Sequence, residues 1–357
     1  MRFITFEHAG LRRAGVITTL RQDEDAVDYV VDGAHPLRPA VLQDLQPTML
    51  DWISYGLQAL ARRLSLELTN DQCLLPLSEV KLLAPLPNPG KIVGAAFNYR
   101  DGLLQTKRTP PAAPVIFIKS ASTIIGPEDM IRINPANHVT YEAELAVIIG
   151  KQALKIDRSE VADYICGYTI FNDVSVTNYV KHDGGFVRGK NQKTSGPMGP
   201  WILPADAIVD PHDLAVTLDA NGVRLQDSST SQMLFRIEEL VEFISAQMPL
   251  EPGDIIATGT PAGVAANHEP PAWLIPGMSL SIGIEKLGVL RNKVEREPNH
   301  ARKKQIHRVI DKRHSGRGSA AAPAARQRHC CPTNGPGHLA SPCCGRRRTD
   351  RAHQASR

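Results

Sequence analysis

Hydrophobic positions divide the chain into a short N-terminal region and a longer region that is rich in strand patterns. Apolar runs at Arg2–Phe6, Ala14–Thr19 and Val27–Val31 predict strands. From Gln46 to Leu66, apolar residues recur at three- and four-residue spacing, which predicts one helix. The combination predicts a small α/β domain over residues 1–75.

The next segment, residues 76–90, contains four prolines and no long periodic stretch, which predicts an extended linker. Over residues 91–298, short apolar runs bounded by turn residues indicate strands, and helical patterns occur at Ser159–Asp163 and Arg236–Gln247. The chain is therefore predicted to be a β-dominated α+β protein. The predicted strands are Ile92–Ala96, Val115–Lys119, Glu144–Ile149, Gly167–Asn172, Leu214–Ala220, Asp254–Ala257 and Met278–Ile284.

Charge and aromatic content set the end of the chain apart. The net charge of +4 combines 14 Lys and Arg against 2 Asp and Glu in residues 299–357 with 27 against 35 in residues 1–298. The last 59 residues contain no Phe, Trp or Tyr. We expect a disordered basic tail there, because such a segment buries too little apolar surface to offset its ordering entropy. The acidic body argues against nucleic acid as a partner.

Location is predicted from what the sequence lacks. No apolar run reaches the ~18 residues of a membrane-spanning helix, and the N-terminus lacks the pattern of a signal peptide. The body has only two isolated cysteines, Cys73 and Cys166, which fit a reducing compartment. We expect a cytoplasmic protein with no membrane partner.

Two acidic residues carry the best local signal for chemistry. Glu142 and Glu144 are two positions apart in a predicted strand, so their side chains point to one face. Leu145, Val147 and Ile149 point to the other face. Two carboxylates with Cα atoms ~7 Å apart repel unless positive charge lies between them, and a divalent cation such as Mg²⁺ or Mn²⁺ prefers such oxygens. An exposed strand face with two solvated acids explains the same spacing.

Three later segments add candidates. Asp173 ends the predicted strand that follows, where it fits either a third metal ligand or a turn or helix cap. Lys190 lies in a loop-like stretch, Arg188–Trp201, and could neutralise a carboxylate or an enolate. Gly253–Gly263 reads as a strand followed by a Gly/Thr turn, whose backbone N–H groups could hold an anionic substrate oxygen.

Together and in this order, the segments resemble the fumarylacetoacetate hydrolase superfamily, over about Leu83–Val294. Within it, the sequence is most similar to the isomerase/decarboxylase branch of homoprotocatechuate catabolism. Members of that branch decarboxylate 5-oxopent-3-ene-1,2,5-tricarboxylate and isomerise 2-hydroxyhepta-2,4-diene-1,7-dioate. The segments that carry the resemblance are Phe117–Lys119, Tyr141–Gly150, Gly167–Asp173, Lys190, Gly196–Trp201, Val209–Asp213 and Pro252–Pro261.

This resemblance implies a mixed β-sandwich roll, usually dimeric, with a metal site at its mouth. It implies Mg²⁺ or Mn²⁺ held by Glu142, Glu144 and Asp173, and a small 2-oxo acid substrate that reacts through an enolate stabilised by the cation. Lys190 and Thr260 match the family's catalytic positions. The expected substrate contacts are Tyr141, Lys190, Gly259 and Thr260.

The chain also departs from the family pattern. Many members carry Asn-Tyr-x-x-His-x-x-Glu, whose His is a general base and whose Glu orients it; over Asn98–Gln105 this chain has Gly102 and Gln105 at those two positions. A glycine cannot activate water. Thr177 stands where an Arg is frequent, and Lys193 where an Asp is common.

Three functions remain open at this point. The first is an isomerase or decarboxylase, because tautomerisation and decarboxylation need an enolate but no activated water. The second is an acylpyruvate- or fumarylpyruvate-type C–C hydrolase in which His138 or His182 replaces the missing base. The third is a catalytically degenerate member that binds metal and ligand only.

Overall fold

The structure is a computed structural model that describes residues 1–22, 25–68 and 73–298, so the predicted tail at 299–357 lies outside the described residues. Residues Met1–Pro298 form one contact unit. The strands are β1 Arg2–His8, β2 Leu11–Gln22, β3 Asp25–Asp32, β4 Leu74–Pro76, β5 Lys81–Leu82, β6 Ile92–Ala96, β7 Val115–Lys119, β8 Ile124–Ile125, β9 Met130–Ile133, β10 Val139–Thr140, β11 Ala143–Ile149, β12 Ile165–Asn172, β13 Ser175–Val176, β14 Gly196–Pro204, β15 Ala215–Ala220, β16 Val223–Ser229, β17 Ile255–Ala257, β18 Ser279–Ile284 and β19 Gly288–Arg296. The α-helices are α1 Ala40–Gln43, α2 Met49–Tyr55, α3 Leu57–Glu67, α4 Arg100–Gln105, α5 Thr177–Asp183, α6 Val187–Lys190 and α7 Ile237–Gln247.

A large mixed sheet forms the centre of the fold. Its strands follow the order β4-β3-β2-β1-β14-β12-β11-β17-β6-β7, with β5 paired to β1 and β8 paired to β14. A second sheet has the order β16-β15-β18-β19-β9, and β10 pairs with β13. The predicted β-dominated α+β class is confirmed.

The strand β11 is buried along its whole length, because both faces of the large sheet are covered. Leu145 and Val147 pack in a core that includes Val216 and Ile282 of the second sheet. Ile148, on the other face, packs in a core that includes Trp52 and the apolar side of α2 and α3. The alternation predicted for this strand is therefore observed. Residues on one face of β11 pack in the first core, and residues on the other face pack in the second.

The N-terminal strands join the same sheet. Phe3 of β1 lies opposite Ile202 of β14 in an antiparallel pair. Within the predicted linker, Lys81 and Leu82 form β5, which also pairs with β1. The sheet thus runs without a break from the N-terminal region into the region that carries the candidate site.

Two predictions about elements were wrong. The helix expected over Gln46–Leu66 begins at Met49 and is interrupted at Gly56, whose φ of 106° suits glycine and ends α2. The stretch Arg188–Trp201 is not a loop: it contains most of α6 and then enters β14, a central strand. Its glycines and prolines hid the strand, because proline cannot donate to a sheet and is unusual in central strands.

Candidate active site

The antiparallel pairing of β11 with β12 brings the predicted acids together. Ala143 lies opposite Asn172, so Glu142 and Asp173 flank this pair at one end of the sheet. The Asp173 N–H donates to the Glu142 carbonyl at 3.0 Å, and the Glu142 N–H donates to Asn172 Oδ1 at 3.0 Å. One backbone–backbone bond and one bond to the Asn172 side chain therefore hold Glu142 and Asp173, 31 positions apart in the chain, side by side.

The three acidic side chains form one group. Each of Glu142, Glu144 and Asp173 offers a carboxylate oxygen, and these oxygens all lie within 4.8 Å of one another. Glu144 is 2% exposed and Asp173 is fully buried. The alternative of two solvated acids on an open strand face is excluded, because solvated carboxylates do not crowd together in a buried place.

Two lysines lie among these acids. Lys190 Nζ is 2.8 Å from Glu142 Oε2 and 2.6 Å from Asp173 Oδ2. Lys119 Nζ is 2.8 Å from Asp173 Oδ1 and is also buried. Lys119 was not predicted as a site residue, although a lysine that ends the apolar strand Val115–Lys119 was a usable signal. We call these five residues the acidic centre.

Glu144 differs from the other two acids. Its Oε2 accepts a hydrogen bond from the Gly259 N–H at 2.9 Å. Within the described part of the chain, no lysine, arginine or histidine forms an ion pair with it. Three carboxylates thus face two ammonium groups, and one buried carboxylate is left without a counter-charge, which is costly in a protein interior.

The pKa values follow this arrangement. Burial raises the pKa of Glu144 well above its ordinary value, and the neighbouring charges of Asp173 and Glu142 raise it further. Burial also raises the pKa of Glu142. For Asp173, burial acts in the same direction, but the ammonium groups of Lys119 and Lys190 outweigh it and lower the pKa. Burial disfavours the charged form of Lys190, yet Asp173 and Glu142 together raise its pKa, so this ammonium stays protonated.

A metal ion fits the acidic centre chemically. The three carboxylates supply hard oxygen donors, which Mg²⁺ and Mn²⁺ both accept. Glu144 has no cationic partner in an ion pair among the described residues, and a bound cation would favour its carboxylate form, which burial disfavours. The group Glu142, Glu144 and Asp173 could therefore hold a divalent cation.

A cavity of about 300 Å³ opens beside the acidic centre. Glu142 and Lys190 line one part of it, and Thr260 lines the wall nearby. Three phenylalanines and small residues make most of the rest apolar. The lining residues are Ala95, Ala96, Phe97, Tyr99, Gly102, Leu103, Thr106, Arg108, Phe117, Thr140, Glu142, Ser175, Thr177, Val180, Lys181, Phe186, Lys190, Thr260, Pro261, Val264, Ala266 and Asn267.

The structure places the predicted substrate contacts differently from one another. Lys190 and Thr260 line the cavity. The Thr260 hydroxyl donates to the Ala143 carbonyl at 3.0 Å and accepts from Gln226 Nε2 at 2.9 Å, so it is held in place. Tyr141 is fully buried and, like Gly259, is not among the lining residues.

Two of the four departures from the family pattern lie at this cavity. Gly102 and Thr177 both line it. A Cβ added at Gly102 would meet its nearest neighbour, Ala262 N, at 3.6 Å, which is an ordinary contact distance. Gln105 Oε1 instead accepts from the Gly263 N–H at 2.9 Å, and Lys193 is exposed outside the lining. Room for a side chain is present at position 102, but the general base is not.

Neither substitute base lies at the cavity. His138 stacks on Trp273 with ring centroids 4.9 Å apart. His182 is exposed and lies 2.8 Å from Asp183 Oδ1. Both histidines are outside the lining of the cavity, so the structure does not bring together the parts that the hydrolase alternative requires.

The fumarylacetoacetate hydrolase C-terminal family profile matches residues 91–295. The chain belongs to the fumarylacetoacetate hydrolase family, as the sequence motifs predicted. Superfamily members include isomerases, tautomerases and hydrolases.

Individual relatives narrow the picture. The chain is 38% identical to the oxaloacetate tautomerase FAHD2B, mitochondrial, of Bos taurus over 70% of this chain and 80% of that protein. It is 40% identical to the oxaloacetate tautomerase YisK of Bacillus subtilis over 61% of this chain and 74% of that protein. The solved 2-hydroxyhepta-2,4-diene-1,7-dioate isomerase of Mycobacterium marinum is 32% identical, with a TM-score of 0.64, over 84% of this chain and all of that one.

In the described ranges, no helix is both long and apolar enough to cross a membrane. The predicted cytoplasmic location stays a prediction, because several similar proteins carry the word mitochondrial in their names.

Proposed function

We propose that this protein is an isomerase-type enzyme that uses a divalent cation and interconverts the keto and enol forms of a small 2-oxo dicarboxylic acid. The observation that carries the proposal is the acidic centre, which faces a cavity whose wall at Gly102 lacks a side chain able to activate water. The names of the relatives supply two candidate substrates of this class, oxaloacetate and 2-hydroxyhepta-2,4-diene-1,7-dioate. A β-oxo acid decarboxylase would use the same enolate chemistry.

The cation's ligands would be Glu142, Glu144 and Asp173, which supply oxygen donors, and Glu142 also lines the cavity. When bound, such a cation would supply positive charge beside the substrate's carboxylate and 2-oxo oxygens. The choice between Mg²⁺ and Mn²⁺ belongs to the proposal, since the same ligands suit both.

Lys190 would stabilise negative charge that develops on the substrate. An ammonium group has three donors, and two of those of Lys190 are directed at Glu142 and Asp173. The third donor, for which the described ranges show no acceptor, would reach an enolate oxygen in the cavity that Lys190 lines. Because its pKa is raised, Lys190 would act as a fixed positive charge and not as a base.

The apolar walls would exclude water from the reacting atoms. Phe117 lies against Phe186 with ring centroids 4.9 Å apart, and Lys190 Nζ lies 5.0 Å from the Phe117 ring centroid. In such surroundings the charge of Lys190 acts more strongly than it would in water. The exclusion of water and the stronger effect of the Lys190 charge both favour enolate formation over hydrolysis. A dimeric assembly, expected from the resemblance, belongs to the proposal as well.

The decisive experiment follows enol absorbance. The full-length protein with Mg²⁺ is mixed with freshly dissolved enol-oxaloacetate, with 2-hydroxyhepta-2,4-diene-1,7-dioate or with an acylpyruvate, and pyruvate is assayed in parallel. We expect the enol absorbance to fall faster with the protein than without it. EDTA should abolish this acceleration, and the protein should release no pyruvate. Pyruvate from oxaloacetate would identify a decarboxylase, and pyruvate from an acylpyruvate would replace the proposal with hydrolysis. Tight Mg²⁺ binding without turnover of any 2-oxo acid would support the binding-only alternative.

A further inference from the structure

The cavity carries positive charge at a second place, away from the acidic centre. Arg108 and Lys181 both line it, Arg108 just after α4 and Lys181 within α5. In the described ranges, neither side chain forms an ion pair. The other lining cation, Lys190, is by contrast held by two carboxylates. Both side chains are exposed, and without a carboxylate partner in the described ranges they are available to bind an anionic ligand.

A row of aromatic rings connects Arg108 with Lys190, the lining cation of the acidic centre. The Arg108 guanidinium lies 4.1 Å from the ring centroid of Phe97. Phe97 is followed by Phe186 at 6.3 Å and Phe186 by Phe117 at 4.9 Å, both measured between ring centroids. Lys190 Nζ lies 5.0 Å from the Phe117 centroid, at the other end of the row.

The stacked position of Arg108 suits carboxylate binding. A guanidinium that lies over a ring can still direct N–H groups at a ligand, and these match the two oxygens of a carboxylate. The stacking also limits the rotamers of a long side chain, which lowers the entropy lost when a ligand binds.

We propose that Arg108, assisted by Lys181, binds the far carboxylate of the substrate and so selects 2-oxo diacids whose carbon spacer extends along Phe97, Phe186 and Phe117. This inference rests on the proposed function and deepens it. Within the proposed class of substrates, it predicts that longer diacids bind more tightly than oxaloacetate. A four-carbon acid is small for a cavity of about 300 Å³, a volume that normally holds a larger ligand.

The test compares two acids that differ only at the far end. Binding of 2-oxoadipate and of 2-oxohexanoate to the full-length protein with Mg²⁺ is measured by calorimetry. We expect the diacid to bind about 10-fold or more tightly, since a hydrogen bond to a charged group commonly contributes that much. In Arg108→Met this preference should fall towards unity, and in Lys181→Met it should fall by less.

Lys107→Met is the matched control. Lys107 precedes Arg108 in the chain, is exposed, and does not line the cavity. Its loss removes the same charge and should leave the preference unchanged. An equal affinity for both acids, an unchanged preference in Arg108→Met, or no binding of either acid at millimolar concentration would overturn the inference. Binding that follows these expectations without any enol conversion would instead count against the proposed function alone.

Discussion

The acidic centre and the α4 wall face the same cavity but differ in chemistry. The α4 wall consists of Gly102, Leu103 and Thr106. At the acidic centre, every charged side chain contacts a neighbour, and most of its atoms are buried. The α4 wall offers one glycine, one leucine and one hydroxyl. The contrast is the basis of our proposal that this chain binds a cation and stabilises an enolate without activating water.

Removing a ligand of the acidic centre should have the largest effect. Glu142→Ala is expected to lower Mn²⁺ affinity by more than about 100-fold, since changes one shell further out already cost 10–100-fold. Enol conversion should be lost with it. Calorimetric titration with Mn²⁺ checks the first point. Glu297→Ala, at an exposed glutamate, is the control. Full Mn²⁺ affinity in Glu142→Ala would remove the basis for the metal assignment.

Removing Lys190 should separate catalysis from metal binding. Lys190→Met is expected to lower turnover about 100- to 1,000-fold, as loss of one charge-stabilising donor commonly does. Mn²⁺ should bind more tightly to this variant, because Glu142 and Asp173 lose a competing cation. Steady-state kinetics and Mn²⁺ titration are compared with Lys193→Met, an exposed neighbour. Weaker metal binding would show that Lys190 organises the ligands instead.

Introducing the His and Glu of the family pattern at positions 102 and 105 should give the α4 wall a general base. The double variant Gly102→His/Gln105→Glu is expected to release pyruvate from an acylpyruvate at least about 100-fold faster than the unmodified protein, the low end for a positioned base. Position 102 has room for a side chain, and a glutamate at 105 can still accept from the Gly263 N–H. Gln105→Glu alone is the control. A well-folded double variant without pyruvate release would mean that more than the dyad is missing.

The smallest expected effect is a change of folding stability with pH. It arises at His212, outside the acidic centre, and is compared with the effect of Glu144. Burial lowers the pKa of His212, whose Nε2 accepts from the Ile237 N–H at the start of α7. The folded state therefore disfavours protonation, and stability should fall as pH decreases through the ordinary histidine value of ~6.5. Glu144 has the opposite sign: its raised pKa means that protonation on acidification stabilises the fold.

Urea unfolding in EDTA at pH 7.5 and 5.5 checks this. In the unmodified protein, the free energy of unfolding is expected to be about 1 kcal/mol lower at pH 5.5 than at pH 7.5, as for loss of one helix cap. His212→Gln should remove this difference. An identical loss in the variant and in the unmodified protein would place its origin elsewhere.

Much of the fold could be predicted from local patterns. The alternation around Leu145 and Val147 gave β11 correctly, because a strand between two cores needs apolar residues on both faces. Patterns failed where backbone geometry decides. Gly56 interrupts a helix whose apolar spacing continues past it, and β14 contains prolines that normally argue against a central strand.

The candidate site was predictable only in part. The two-residue spacing predicted that Glu142, just before β11, lies beside Glu144, but the contribution of Asp173 depends on strand register, which the sequence does not show. Lys119 and Arg108 were missed for the same reason. Their importance comes from neighbours that are distant in the chain, Asp173 for the one and the cavity for the other.

The pairing of β1 with β14 has a consequence for protein engineering. A fragment limited to residues 91–295, the span of the family profile, would remove β1 and leave β14 around Ile202 without its β1 neighbour, although β8 would still pair with the start of β14. Exposed edges of this kind recruit other strands and promote aggregation. Although we propose residues 1–75 and 91–298 as two domains, they are best expressed together, and a chimera that exchanges the N-terminal part must supply a strand that fits beside Ile202.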